Sequence, residues 1–186
     1  MKKVTYDILM GILPVMIGVY LGIYFNNQNE NAKQQELSDK ILESLYQENK
    51  NNIMKLEASL DYFIQLRDSS DHLLRLKKPY KQFQFWKGLN PPDLSSTAFN
   101  VAQVTNTLPG FSIGLVQHLS STYSSIEDLQ SQAHTYFSSV TNQIGSPNFE
   151  DRYLAVLFNY AYDMVSSEEQ LLEIALELDK QIKEIN

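Results

Sequence analysis

The chain has 186 residues, of which 43% are hydrophobic, and it contains no cysteine. This length suits one domain with a substantial core, and the lack of cysteine excludes disulfide scaffolds, cysteine-ligated zinc, iron–sulfur clusters and thiol nucleophiles. The net charge of −7 argues against nucleic-acid binding, which needs a basic surface. The charge is unevenly distributed: residues 1–88 carry 12 basic and 10 acidic side chains, whereas residues 89–186 carry 3 and 12.

An uncharged stretch near the N-terminus predicts a membrane anchor. The 18 residues from Ile8 to Phe25 carry no charge, and as a helix they would extend about 27 Å, close to the thickness of a hydrocarbon core. We therefore predict that residues 1–26 form an anchor and that residues 4–25 contact the lipid bilayer. The alternative is a cleaved signal peptide, but the stretch is longer than a signal-peptide core and no small-residue cleavage site follows it.

Lysines on the two flanks of this stretch indicate its orientation. Lys2, Lys3 and the α-amino group precede it, beside Asp7, while Lys33 and Lys40 follow it among the acidic residues Glu30, Glu36 and Asp39. Cytoplasmic flanks are enriched in Lys and Arg, so the narrow difference favours a cytoplasmic N-terminus. We expect a single-pass protein of the bacterial inner membrane, with residues 27–186 in the periplasm.

Glycines in the predicted anchor share one helix face. Gly11, Gly18 and Gly22 are separated by seven and four residues, and small residues at such spacing let two membrane helices approach closely. The pattern predicts a helix-packing face and a homodimer. The simpler interpretation is that glycine is common in membrane helices.

The distribution of proline and glycine beyond the anchor predicts long helices. Neither residue occurs in 23–78, 115–144 or 148–186, and both break helix interiors. Apolar residues recur every three or four positions in each stretch, which is typical of the buried face of a bundle helix. The predicted seam residues include Leu42, Tyr46, Ile53, Leu56, Leu60, Phe63, Val116, Leu119, Tyr123, Ile126, Ala133, Phe137, Val140, Ile144, Leu154, Leu157, Ala161, Met164, Leu171, Ala175, Leu178, Ile182 and Ile185.

These patterns predict an all-α fold in which the N-terminal transmembrane helix continues into an elongated up-down helical bundle, residues 27–186. The first helix should reach about Lys77, a short helix should cover about 97–106, and two long helices should follow. Ser95 and Ser96 are the candidate caps of the short helix.

Polar residues interrupt the apolar seams at Asn49, Gln130 and Glu168. Buried polar residues in coiled coils fix helix register at some cost in stability, and we expect that role here. The alternative is that the three side chains line a polar pocket.

Three short segments resemble the boxes of a family of small single-pass bacterial membrane proteins without assigned function. Phe25–Asn31 is similar to the Asn-Asn-Trp-Asn-Glu box that follows the anchor in that family. Thr97–Phe99 and Leu119–Tyr123 are similar to its Thr-Ala-Trp and Leu-x3-Tyr boxes, although Gln28 and Phe99 stand where the family usually has tryptophan. The resemblance covers about half of the chain and implies architecture only, because the family has no known catalytic residues.

The sequence contains no recognisable pattern of catalytic or metal-binding residues. His72, His118 and His134 are too far apart to pair on one helix face, and no Glu-x-x-His pair marks a di-iron bundle. Zinc-protease, nucleotide-binding and serine-hydrolase motifs are also missing. We predict no cofactor, no metal and no catalytic activity.

A basic, aromatic segment follows the first long helix. The candidate partner-binding tip comprises Arg75, Lys77, Lys78, Tyr80, Lys81, Phe83, Phe85, Trp86 and Lys87. Cationic and aromatic side chains together can anchor a protein partner, bind a membrane surface or stack on nucleic acid. The simpler alternative is that the aromatic residues plug the distal end of the bundle.

The sequence therefore predicts a membrane-anchored helical interaction or scaffold protein that binds a protein partner or forms a homodimer. Two alternatives remain open. One is a sensory or ligand-binding helical-bundle module that signals through a partner membrane protein, since chemoreceptor ectodomains are also membrane-proximal bundles. The other is an enzyme with a nonstandard site.

Overall fold

A computed structural model describes residues 2–77, 87–143 and 149–185, with side chains from Val15 onward except at 143 and 149–151. All regular secondary structure in these ranges is helical, which confirms the predicted all-α fold. The elements are helix α1 (Lys2–Arg75), helix α2 (Thr97–Val104), a 3₁₀ turn (Leu108–Gly110), helix α3 (Ile113–Gln143) and helix α4 (Phe149–Ile185).

The chain divides into two compact units, residues 1–41 and 42–186. In the first unit, α1 is supported by side-chain pairs one helical turn apart, such as the 2.6 Å ion pair between Lys40 and Glu36 and the 2.9 Å bond from Gln35 to Asp39. Pairs of this kind stabilise an exposed helix by a few tenths of a kcal/mol each. No helix in the part of the chain with described side chains is long and apolar enough to cross a membrane.

The core of the second unit lies along the predicted seams. Leu56 of α1, Leu119 of α3 and Leu157 of α4 are almost completely buried, as are most of the other seam residues. This confirms the helical bundle. Two seam predictions are wrong: Phe137 is 57% exposed because it lines an open groove, and Ile185 is 53% exposed because it is the last residue of α4. The predicted seam residue Ile144 lies outside the described residues.

The order of cross-helix contacts gives the direction of α1 relative to α4. Ser59 of α1 bonds to Glu168 of α4, and ten residues earlier Asn49 bonds to Ala175. As the residue number decreases along α1, the residue number of its partner in α4 increases. The two helices are therefore antiparallel.

Helix α3 is antiparallel to α4 as well. Ser167 bonds to Gln132, and the earlier residue Asp163 bonds to the later residue Tyr136. It follows that α1 and α3 run in the same direction, so the connection between them must return along the bundle.

This return is made by an extended segment and then by α2. Later residues of this segment contact earlier residues of α1. The Gly88 carbonyl accepts from Tyr62, and the Ala98 amide donates to Glu48. Residues 87–104 thus form the fourth element of an up-down bundle, part extended and part helical.

Candidate functional site

The best-defined polar site in the bundle is centred on Glu48, which lies half-buried on α1. One carboxylate oxygen accepts from the Ser95 hydroxyl at 2.5 Å and from the Ala98 backbone N–H at 3.0 Å. The other accepts from the Tyr123 hydroxyl of α3 at 2.7 Å. Because a carboxylate stabilises the unpaired N–H groups of a helix N-terminus, Glu48 caps α2 from a different helix.

This cap replaces the expected local one. Ser96 stands at the N-cap position, but its side chain makes no capping hydrogen bond. The Ser95 hydroxyl accepts only a long bond from the Thr97 N–H, at 3.3 Å. The prediction that Ser96 caps α2 through its side chain is therefore wrong, and Ser95 acts mainly by donating to Glu48.

Asn52 lies one turn after Glu48 on α1. Its side chain binds the backbone of the same segment at Ser95. Its amide nitrogen donates to the Ser95 carbonyl at 2.8 Å, and its amide oxygen accepts from the Ser95 N–H at 2.9 Å. This two-bond pairing imitates one rung of a β-ladder. From the other side, Gln130 of α3 donates to the Leu94 carbonyl at 3.1 Å, so the segment is held between two helices.

An aromatic pair completes this site. The rings of Phe99 and Tyr123 are stacked, with centroids 4.4 Å apart. Burial, together with the hydrogen bond to Glu48, raises the pKa of the Tyr123 phenol well above its usual value. The hydroxyl therefore stays a hydrogen-bond donor throughout the physiological range. We call Glu48, Asn52, Ser95, Phe99 and Tyr123 the α2 clamp.

The α2 clamp brings together two of the three segments on which the family resemblance depends. Phe99 is in the Thr97–Phe99 box, and Tyr123 ends the Leu119–Tyr123 box. Their contact gives a physical reason for both aromatic positions, whereas membership of the family stays a prediction. Sequence reasoning missed Glu48 and Asn52, although their spacing of four residues on the buried side of α1 was an available signal.

A second polar site is buried between α1 and α4. Glu168 is fully buried, and one of its oxygens accepts from the Ser59 hydroxyl at 2.8 Å. The other oxygen has no hydrogen-bond partner among the described residues. Burial raises the pKa of Glu168 to about 8, and the Ser59 hydrogen bond opposes this shift.

Asn49 and Gln130, the other two polar seam residues, bind backbone carbonyls. The buried Asn49 amide donates to the Ala175 carbonyl at 2.9 Å, across the α1–α4 interface. Together with the Gln130 bond to Leu94, this arrangement agrees with the predicted role of fixing register, because each bond forms only in one alignment of the two elements.

The candidate partner-binding tip is only partly described. Lys78, Tyr80, Lys81, Phe83, Phe85 and Trp86 lie outside the described residues. Arg75 ends α1 and forms a 2.7 Å ion pair with Asp71. Lys77 follows with a left-handed φ of 52°, a common way for a helix to end.

On the other side of the tip, the chain rejoins α1 at Tyr62. The Tyr62 hydroxyl donates to the Gly88 carbonyl at 2.8 Å and accepts from the Lys87 N–H at 3.3 Å. Lys77 and Lys87 are exposed at the two ends of the segment. The use of this segment as a binding site stays a prediction.

The glycines of the predicted anchor are all in α1. A methyl group added at Gly18 or Gly22 would meet no atom within 4 Å, so neither glycine is required by packing within the described chain. Gly11 is in the same helix, in the part without described side chains. Their role in pairing helices stays a prediction.

A groove of about 370 Å³ separates the extended segment from α3. Its walls are mainly apolar and include Pro91, Pro92 and Phe137, and His134 and Asp93 also line it. Among the described residues no three His, Asp or Glu side chains lie close enough together to hold a metal ion.

No protein-family model, curated protein or solved structure matches this chain.

Proposed function

We propose that the chain is a single-pass, membrane-anchored helical protein that acts as an interaction or scaffold module, with its bundle in the periplasm. The observation that carries this proposal is the surface of α1 over residues 15–25. Nine large apolar side chains there are between 44% and 69% exposed: Val15, Met16, Ile17, Val19, Tyr20, Leu21, Ile23, Tyr24 and Phe25. A helix that is apolar on every side is typical of one that contacts lipid.

The residues immediately before residue 15 are also uncharged. Counted from Ile8, the uncharged run has 18 residues, which is about the length of a membrane-spanning helix. The exposed residues 15–25 are its second part, and the polar pairs after Phe25 begin with the 3.1 Å bond from Asn26 to Glu30. This change from apolar to polar surface supports an interface near residue 26.

The organisation of the bundle supports a role in presenting surfaces. The hydrogen bonds of the α2 clamp hold Ser95 and Ala98 against α1. Arg75 and Lys77, the described residues of the tip at the C-terminal end of α1, are exposed, so a partner could reach them there.

Membrane fractionation tests the anchor. The full chain, expressed in a bacterium, should stay in the membrane pellet after alkaline carbonate extraction. Ile17→Lys combined with Leu21→Lys should release it, because a charge at the centre of a membrane helix costs about 3 kcal/mol. The matched control, Asn27→Lys with Asn31→Lys, adds the same charge to the polar stretch and should stay in the pellet. Wild-type protein in the supernatant would refute the anchor.

Site-specific crosslinking in cells tests the interaction role. A photo-crosslinking amino acid at Lys77 should give a defined adduct, whereas the same group at the exposed residue Glu43 should not. An adduct with a second copy identifies a homodimer through the tip. An adduct with a two-transmembrane signalling protein favours the sensory alternative, and no adduct at Lys77 contradicts the tip as a binding site.

A further inference from the structure

The buried carboxyl group of Glu168 is not used by the proposed anchor or by the tip. It is in the interior of α4, at its contact with α1, and only the Ser59 hydroxyl bonds to it. The neighbouring residues Met164 and Leu171 on α4 are buried and apolar. An ionised carboxylate in such surroundings has lost its hydration and gained one hydrogen bond in return, which is a costly state.

Phenols from α1, α3 and α4 interact electrostatically in this part of the core. Tyr160 of α4 has a buried hydroxyl without a hydrogen-bond partner among the described residues, and it interacts electrostatically with Glu168, Tyr62 and Tyr136. Tyr136 of α3 donates to Asp163 of α4. None of the described ion pairs includes Glu168.

Aromatic packing joins α1, α3 and α4 at Tyr160. The Tyr160 ring lies edge-on to Phe63 of α1, with centroids 5.3 Å apart, and it is 5.0 Å from the Tyr136 ring of α3. Residues of α1, α3 and α4 thus form one aromatic cluster, and its member Tyr160 interacts electrostatically with Glu168. Ionisation of Glu168 would leave a buried charge with one hydrogen bond, so access of water between α1 and α4 would stabilise the charged form.

We propose that Glu168 is a proton-operated lock between α1 and α4, closed when the carboxyl is neutral and opened when it loses its proton. Release of the proton to solvent leaves a carboxylate whose hydration draws water between the helices around Ser59. Protonation expels that water and restores the dry contact.

The pH range of the lock follows from its surroundings. Burial places the pKa of Glu168 at about 8, so the lock is closed at mildly acidic pH and opens at mildly alkaline pH. The phenol of Tyr136, with a pKa raised to about 12, remains neutral throughout. A change in the α1–α4 distance between pH 5.5 and 9.5 that depends on residue 168 therefore reports on this one group.

Distance measurement by electron spin resonance tests the lock on the full chain. The protein has no native cysteine, so spin labels can be attached at Ala58→Cys on α1 and Ser166→Cys on α4, both of which are exposed positions. The distance distribution should be narrow at pH 5.5 and longer or broader at pH 9.5, with its midpoint near pH 8.

Two variants and one titration make the result decisive. Glu168→Gln should keep the narrow distribution at both pH values, whereas the adjacent exposed control Glu169→Gln should behave as wild type. An unchanged wild-type distribution, or an equal shift in Glu168→Gln, overturns the proposal. Should Glu168→Gln fail to fold, the carbon-13 shift of the Glu168 carboxyl in the wild-type chain decides, and a midpoint near 4.5 overturns the lock.

Discussion

The ring of Phe99 lies flat against the ring of Tyr123, with the two planes only 2° from parallel. This contact joins α2 to α3, and the Tyr123 hydroxyl extends it to α1 by donating to Glu48. This aromatic pair thus connects three helices. The stacking of the two rings and the hydrogen bond of the Tyr123 hydroxyl can be tested separately.

Tyr123→Phe should lower the free energy of unfolding by about 1–3 kcal/mol. It removes the hydrogen bond to Glu48 and leaves the ring stack intact, and bonds to charged groups contribute in this range. Phe99→Ala removes the stack and should cost about 3–5 kcal/mol. Chemical denaturation of the full chain measures both. The exposed control Tyr162→Phe should change stability by less than about 0.5 kcal/mol, and a Tyr123→Phe effect no larger than this would contradict the α2 clamp.

Asn52→Ala should destabilise the chain by about 1–3 kcal/mol, because it leaves the N–H and the C=O of Ser95 without their partners. The loss should be local, so hydrogen exchange should become faster in residues 94–104 and change little in α4. The neighbouring exposed residue provides the control Asn51→Ala. Equal exchange rates in the two variants would mean that Asn52 does not hold the segment.

Asn49→Asp should cost about 3 kcal/mol or more at neutral pH. The substitution keeps the size of the side chain but turns a carboxylate oxygen toward the Ala175 carbonyl, which can only accept hydrogen bonds. Asn51→Asp introduces the same charge on the exposed face and should change stability by less than about 0.5 kcal/mol. The difference in denaturation midpoint between the two variants is the measurement, and similar midpoints would show that Asn49 is not buried against α4.

Stability should fall as the pH rises through the range in which Glu168 ionises. Its pKa is about 8 in the folded chain and about 4.5 in the unfolded chain, so the folded chain holds the extra proton between these values. The free energy of unfolding should therefore decrease by about 3–5 kcal/mol from pH 4.5 to pH 8. Glu168→Gln should remove this dependence, and identical pH profiles for wild type and variant would contradict it.

Gly18→Leu combined with Gly22→Leu should weaken association of the anchor helices in a bilayer reporter assay. A methyl group added at either exposed position meets no atom within 4 Å, so a loss of association reports on a second helix. Val19→Leu and Ile23→Leu, which add no bulk to a small-residue face, form the matched control. Unchanged association of the double glycine variant excludes a homodimer through this face.

Local patterns were sufficient to predict the helices. The spacing of Leu154, Leu157 and Ala161 repeats along one helix face, and a bundle buries that face whatever the partner. The exposure of Phe137 could not be read from the same spacing, because it depends on the extended segment opposite, which leaves a groove instead of covering the ring.

The polar sites were harder to predict because their partners are far away in the chain. Glu48 caps an amide 50 positions later, and the Ser59 partner of Glu168 is 109 positions earlier. The sequence identified Glu168 as a polar interruption of a seam, but its state of ionisation depends on how completely the other helices exclude water. Such effects arise from tertiary packing and have no signature in a local window.

Because Glu48 of α1 caps α2, the formation of α2 depends on its packing against the rest of the bundle. Eight residues are too few to hold a helix in water on their own, and the carboxylate that completes the first turn belongs to α1. Residues 97–104 can therefore become helical only after the earlier part of the chain has docked. The amide protons of this short helix consequently record, in a single local signal, whether α2 is docked on α1.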